Sequence, residues 1–159
     1  MGTCLSISIL EGKKVPKDLN VKELPEFIPP IESGRVVKVY DGDTITVASK
    51  IPHLKNSQIY KFHIRLNGID TPEIKGSNEE EKKIAKKARD ALSEKIMNQY
   101  VFLKNVKTEK YGRLLCDVYL GNQNLNLWML EQRYAVKYDG GTKKSPSSWE
   151  EYHLHNIII

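Results

Sequence analysis

Residues 59–69 read IYKFHIRLNGI, and residues 77–99 read SNEEEKKIAKKARDALSEKIMNQ. The first stretch alternates with period two. Tyr60, Phe62, Ile64 and Leu66 fall on one face and Lys61, His63 and Arg65 on the other, as in a strand with one buried side. The second changes period. Ile84, Ala88, Leu92 and Ile96 recur every four residues, acids crowd the first turn, and Ser77 with Glu80 spells a capping box. A helix therefore follows the third strand of the chain. RVVKVY (35–40) and TITVAS (44–49) precede it as strands joined at Asp41-Gly42, a strong hairpin signal. YVFLKNVK (100–107) and LLCDVYL (114–120) follow it. LNLWMLEQRYA (125–135) reads as a second helix, with Leu127, Leu130 and Tyr134 on one side. SSWEEYHLHN (147–156) reads as a third, started by Ser147 with Glu150 three residues on.

Five strands with a helix between the third and fourth is the element order of an OB-fold barrel. The predicted class is α+β: a five-stranded OB-fold β-barrel with about three helices. A generic five-stranded α+β sandwich is the alternative.

The barrel accounts for residues 34–159. Residues 1–33 form a tail and linker in which Pro16, Pro25, Pro29 and Pro30 forbid a long helix. Leu24, Phe27 and Ile28 are its candidates for docking on the body. The tail begins MGTCLS, which matches the myristoylation pattern with Gly2 as acceptor, and Cys4 beside it is a candidate for S-palmitoylation. A membrane surface is thus an expected partner, reached through two acyl chains on its cytoplasmic face. Without acylation the expected location is cytoplasmic.

The 159 residues carry a net charge of +5. The first 34 hold four lysines against five acids, so the positive charge lies in the remainder, and an anionic partner such as nucleic acid suits it. No apolar run is long enough to span a bilayer. Cys116, inside the fifth strand, reads as a buried small apolar residue. None of the four histidines shows catalytic pairing or zinc spacing.

Five polar residues are left over from folding. Asp43 opens strand two although the turn needs only Asp41 and Gly42. Asp70 lies just past strand three, Arg65 five residues before it, Glu73 three after it, and Arg113 follows a Lys-Tyr-Gly turn. Each alone has an ordinary reading as a cap or a solvated charge. A barrel can bring them to one exposed rim. There the carboxylates suit a hard divalent cation, with backbone carbonyls completing the oxygen shell. Two arginines suit a phosphate, and a carboxylate off the metal suits deprotonation of water.

The segments VVKVYDGDTITV (36–47), FHIRLNGIDTPE (62–73) and EKYGRLL (109–115) closely resemble the staphylococcal nuclease (thermonuclease) family, in the family's order. The resemblance implies an OB-fold and a calcium-dependent phosphodiesterase that acts on DNA and RNA, single strands preferred, leaving 3′-phosphate products. It implies no protein partner. It assigns Asp43, Asp70 and the backbone carbonyl of Thr71 to Ca²⁺, Glu73 to the attacking water, and Arg65 and Arg113 to the scissile phosphate. Lys110 and Tyr111 fall on the family's terminal-phosphate contacts. Tyr138 is the candidate for its stacking tyrosine. The competing class is a non-catalytic OB-fold module that binds nucleic acid or protein. The presence of all five of Asp43, Arg65, Asp70, Glu73 and Arg113 favours the enzyme.

Overall fold

The structure is a computed structural model and describes residues 15–154, with 77 and 110 excepted. The expectations on Gly2, Cys4, Ser77 and Lys110 lie outside the described residues. The strands are β1 (Ser33–Val39), β2 (Thr44–Lys50), β3 (Ile59–Leu66), β4 (Ile69–Asp70), β5 (Tyr100–Thr108), β6 (Leu114–Leu120), β7 (Gln123–Asn124) and β8 (Val136–Lys137). The α-helices are α1 (Glu79–Ile96), α2 (Leu125–Glu131) and α3 (Trp149–Leu154). A 3-10 turn, Val21–Glu23, lies upstream.

The five long strands run in the order β3-β2-β1-β5-β6, and parallel pairing of β3 with β6 closes them into a barrel. The expected OB-fold is therefore the observed one. Pairs such as Thr44 with Arg65 and Arg65 with Leu115 set the register on either side of β3. The side chains of Val36, Ile45, Val47, Ile64, Leu66, Val101, Cys116 and Val118 fill the interior. Burying one such aliphatic side chain contributes about 1.5–3 kcal/mol. Of the face expected for β3, Ile64 and Leu66 are buried, Phe62 is partly so, and Tyr60 is exposed near the open end.

Helix α1 closes the end of the barrel with Ala88, Leu92 and Ile96. Its N-cap is Asn78, whose side chain accepts from Glu80 N–H at 2.9 Å. The Glu80 carboxylate reaches α3, where its Oε1 accepts from Ser148 Oγ at 2.8 Å and from Glu150 N–H at 2.9 Å. Ser148, not the expected Ser147, caps α3 by accepting from Glu151 N–H.

Three further expectations are corrected. Helix α2 turns Leu125, Asn126 and Met129 inward while Leu127 is 55% exposed, so its buried face is rotated from the one expected. The reason is Asn126, a polar residue buried for its hydrogen bonds and therefore absent from an apolar stripe. Leu24, Phe27 and Ile28 of the linker are exposed, and Ile31 enters the core in their place. The chain at Asp41-Gly42 is not a two-residue hairpin: the last pair is Val39 with Ile45, and Tyr40 N–H closes onto Thr44 O. Gly42 is there for space. A Cβ on it would stand 2.9 Å from Thr71 Cγ2 and 3.2 Å from Ala88 Cβ.

Candidate active site

The β1–β2 loop is folded so that Asp43 faces Arg65. Asp43 N–H donates to Asp41 Oδ1 at 3.2 Å, and Leu66 N–H donates to Asp43 O at 2.8 Å, which ties the loop to the end of β3. The antiparallel register sets Thr44 opposite Arg65 and so Asp43 beside its guanidinium. Arg65 Nη1 lies 2.6 Å from Asp43 Oδ2, and Arg65 Nη2 lies 3.0 Å from Asp70 Oδ1. Asp70 is held by β4, which pairs with β8. Both aspartates are 3% exposed, and Thr71 beside them is buried too. The expectation of an exposed rim is thus corrected for Asp43, Asp70 and Arg65: the charges lie at the floor of a cleft, because barrel closure covers them from both sides.

Glu73 lies at the edge of that cleft, with an exposed side chain. Its N–H donates to Glu81 Oε1 in the first turn of α1 at 3.0 Å, and its carbonyl accepts from Gly76 N–H. Arg113 comes from the β5–β6 turn. Gly112, at φ +75, lets that turn close, and Glu109 N–H bonds Arg113 O. The Arg113 guanidinium forks onto Glu109, with Nε to Oε2 at 2.7 Å and Nη2 to Oε1 at 2.8 Å. This fork first, and Asp43 and Asp41 more weakly, hold Arg113 above its ordinary pKa.

A cleft of about 330 Å³ is lined by Asp41, Asp43, Arg65, Thr71, Glu73, Glu109, Tyr111, Arg113, Tyr138 and Lys143. The residues named from sequence as Asp43, Arg65, Thr71, Glu73, Tyr111 and Arg113 therefore share one cavity, with Asp70 bonded to Arg65 behind it. Tyr138 lies with its ring 5.8 Å from the Arg65 guanidinium carbon. Two members had no part in the sequence reading. Glu109 carries an i,i+4 signal toward Arg113 that was available. Lys143 carried none, because it reaches the site from a loop after β8.

Burial pushes the Asp43 carboxyl up to about 7, and the neighbouring Asp41 charge adds to this; Arg65 and the Thr44 hydroxyl oppose it. Negative charge is thus packed here beyond what Arg65 offsets. Two buried carboxylates are hard oxygen donors, and the Thr71 backbone is adjacent, so the residues fit a calcium ion. Among the described residues no group of three or more His, Cys, Asp and Glu side chains is placed to hold a metal ion. Such a cation would rest on Asp43 and Asp70 and complete its shell with carbonyls and water.

The fold and cleft together define an OB-fold barrel with a carboxylate–arginine site in a cleft below its rim. The family model "Staphylococcal nuclease homologue" matches residues 63–154, and the chain belongs to that family. It is 26% identical over 156 residues to a probable endonuclease LCL3 of Kluyveromyces lactis, covering 95% of this chain and 57% of that protein. It is 35% identical over 104 residues to an uncharacterized endonuclease of Haemophilus influenzae, covering 65% and 51%. It is 35% identical over 97 residues to a thermonuclease of Staphylococcus hyicus, covering 60% and 53%. The chain spans little more than half the length of each of these relatives.

Proposed function

We propose that this chain is a calcium-dependent nuclease that hydrolyses phosphodiester bonds of DNA and RNA, with single strands preferred and 3′-phosphate products. The observation that carries the reading is the shared cleft of Asp43, Arg65, Glu73 and Arg113. Membership of the family and the printed names of its endonuclease and thermonuclease relatives support it. Asp43, Asp70 and the Thr71 carbonyl would hold the ion, which when bound offsets charge on a phosphate oxygen.

The protein's own residues do the rest. A phosphodiester is anionic and repels a nucleophilic oxygen. Arg65 and Arg113 present planar donor forks that neutralise it, most strongly as charge builds on the five-coordinate phosphorus. Both guanidiniums already engage carboxylates, so a phosphate entering the cleft shares them with Asp43, Asp70 and Glu109. Those carboxylates hold the forks in place beforehand, so little orientation remains to be fixed on binding. Glu73 is solvent-facing and free of the metal set, which suits it to take a proton from water in line with the leaving 5′-oxygen. Tyr111 and Lys110 suit the terminal phosphate and Tyr138 suits a base face. Backbone and stacking contacts of this kind carry little sequence information.

The non-catalytic alternative is tested by the same assay: digestion of single-stranded DNA with calcium and then with chelator. Cleavage that needs calcium supports the enzyme; equal results with both overturn it. We also propose acylation of Gly2 and Cys4, which would hold the nuclease at the cytoplasmic face of a membrane. Mass spectrometry of the N-terminal peptide from eukaryotic cells tests it, and an unmodified Gly2 there overturns it.

A further inference from the structure

The outer face of β5 and its neighbours carries side chains that the cleft does not use. Tyr100 and Phe102 point away from the core and are 60% and 52% exposed. Arg35 is paired with Tyr100 across β1, and its guanidinium carbon lies 5.0 Å from the Tyr100 ring centre. Phe102 is paired with Tyr119 of β6. Lys104 Nζ stands 4.4 Å over the Tyr119 ring. A bulge follows at Asn105, whose φ is +54. It inserts one residue and returns Lys107 to the outer, exposed side. The strand then leads through Thr108 into the turn that holds Tyr111 and Arg113 at the cleft.

The outward side chains from the far end of β5 to the cleft are thus aromatic, aromatic, basic, basic, then Tyr111. Exposed large aromatics on a sheet face gain nothing for folding and are costly to leave in water. Cations set against rings put charge and stacking surface at the same place, the combination that single-stranded nucleic acid requires of a surface. Three acids lie along this face, and two of them are engaged. Asp117, opposite Lys104, accepts from the Asn67 and Asn105 side-chain amides, Glu26 of the linker accepts from Thr108 Oγ1 beside Lys107, and Glu32 lies exposed at the strand's far end.

We propose that this face is a binding track for single-stranded nucleic acid, running from Tyr100 to the cleft at Tyr111. It rests on the nucleic-acid reading of that cleft and extends it to substrate outside the reacting phosphate. The nine residues of β5 alone span about 30 Å. That length falls within the ~4–16 nucleotides that OB-folds occupy on a single strand. Phe102 and Tyr100 are the stacking positions; Lys104 and Lys107 contact phosphates. Long substrates therefore bind tighter than short ones for a reason separate from the reacting site.

The experiment is fluorescence anisotropy of labelled dT12 and dT3 with the full chain in chelator, where binding is read without cleavage. The double variant Tyr100→Ser/Phe102→Ser is expected to weaken dT12 binding about tenfold or more and to leave dT3 unchanged, as loss of base stacking requires. Lys104→Gln, which keeps both rings, is expected to weaken dT12 binding and to lower the salt slope by about 0.7. Irradiated dT12 carrying 5-iodouracil is expected to cross-link to Tyr100, Phe102 or Tyr119. Wild-type affinity for dT12 in both variants overturns the track. So does loss of binding to phosphatidylserine vesicles in the double variant with dT12 binding intact, which would assign the face to a lipid surface. A protein that binds dT12 through these residues but cleaves nothing with calcium keeps the track and loses the nuclease reading. One that cleaves but shows no difference between variants loses only the track.

Discussion

Lys143 Nζ stands 2.7 Å from Glu73 Oε1, and the same ammonium lies 3.0 Å from Asp70 Oδ1. Burial lowers the pKa of Lys143, but its bonds to Glu73 and Asp70 outweigh that and hold it above the ordinary value. A lysine thus bridges the carboxylate assigned to the metal and the one assigned to water. It competes with any cation for Asp70 and with any proton for Glu73. Lys143→Met keeps the aliphatic stem and removes the charge. Calcium affinity should rise about two- to fivefold, the range expected of a half-exposed ion pair. Titration calorimetry with calcium alone measures this without turnover. Unchanged or weaker binding would mean that the ammonium yields its place at no cost.

Arg65 and Glu73 should respond differently to removal. The Arg65 side chain is only 12% exposed and joins two buried aspartates. Arg65→Ala leaves Asp43 buried without a cationic partner and Asp70 with Lys143 alone, a change that costs about 3 kcal/mol or more. Glu73 projects into solvent, so Glu73→Gln should leave the melting temperature within about a degree or two and lower kcat about 10²–10⁴-fold. Thermal denaturation of each variant beside its cleavage rate separates the two. An Arg65→Ala protein as stable as wild type would contradict the buried charge network.

The barrel was legible because its strands alternate and its long helix repeats every four residues, signals that survive without any knowledge of tertiary contacts. Closure of β3 onto β6 was not, since parallel pairing between distant strands leaves no local mark. That closure is what sinks Arg65 and Asp43 below the rim. Asp43 stood out because folding of the turn does not require it, and its neighbour Gly42 misled for a related reason: Asp-Gly signals a tight turn, but here the missing Cβ makes room for Thr71. Lys143 was hidden in a loop whose path depends on β8. Glu80 was read locally as half of a capping box, yet its carboxylate serves a helix seventy residues on.

Asn126 shows the same limit and gives a further test. It is 4% exposed on α2, and its Oδ1 accepts from Val118 N–H at 2.9 Å while its Nδ2 donates to Asn67 O at 2.7 Å. It therefore stitches the turn after β3 to β6 at the point of barrel closure. Asn126→Leu would fill the space but leave a buried N–H and a carbonyl unpaired. Each such group costs about 1–3 kcal/mol, so denaturant unfolding should show a loss of about 2 kcal/mol or more. Retention of full stability would mean that other groups satisfy both atoms.

Asp43 sets the pH dependence of the unliganded protein. Its carboxyl titrates near the ordinary 3.8 when unfolded and is raised to about 7 in the fold, by burial first and by Asp41 second. Between those values the folded state holds a proton that the unfolded chain has lost. The contribution of this group to stability is therefore fully present below about pH 4, falls as the pH rises toward 7, and leaves a constant penalty above it. Asp43→Asn mimics the protonated form and removes the penalty, although Arg65 then keeps only Asp70 as a charged partner. At pH 8 in chelator the variant should be more stable than wild type by about 1–3 kcal/mol. At pH 4 the difference should vanish. Calcium should reverse the order, since binding to the wild-type carboxylate adds stability that the amide cannot match. Melting curves at the two pH values, with chelator and with calcium, give all four comparisons. A variant less stable than wild type at pH 8 in chelator would show that the Arg65 pair outweighs burial and the Asp41 charge.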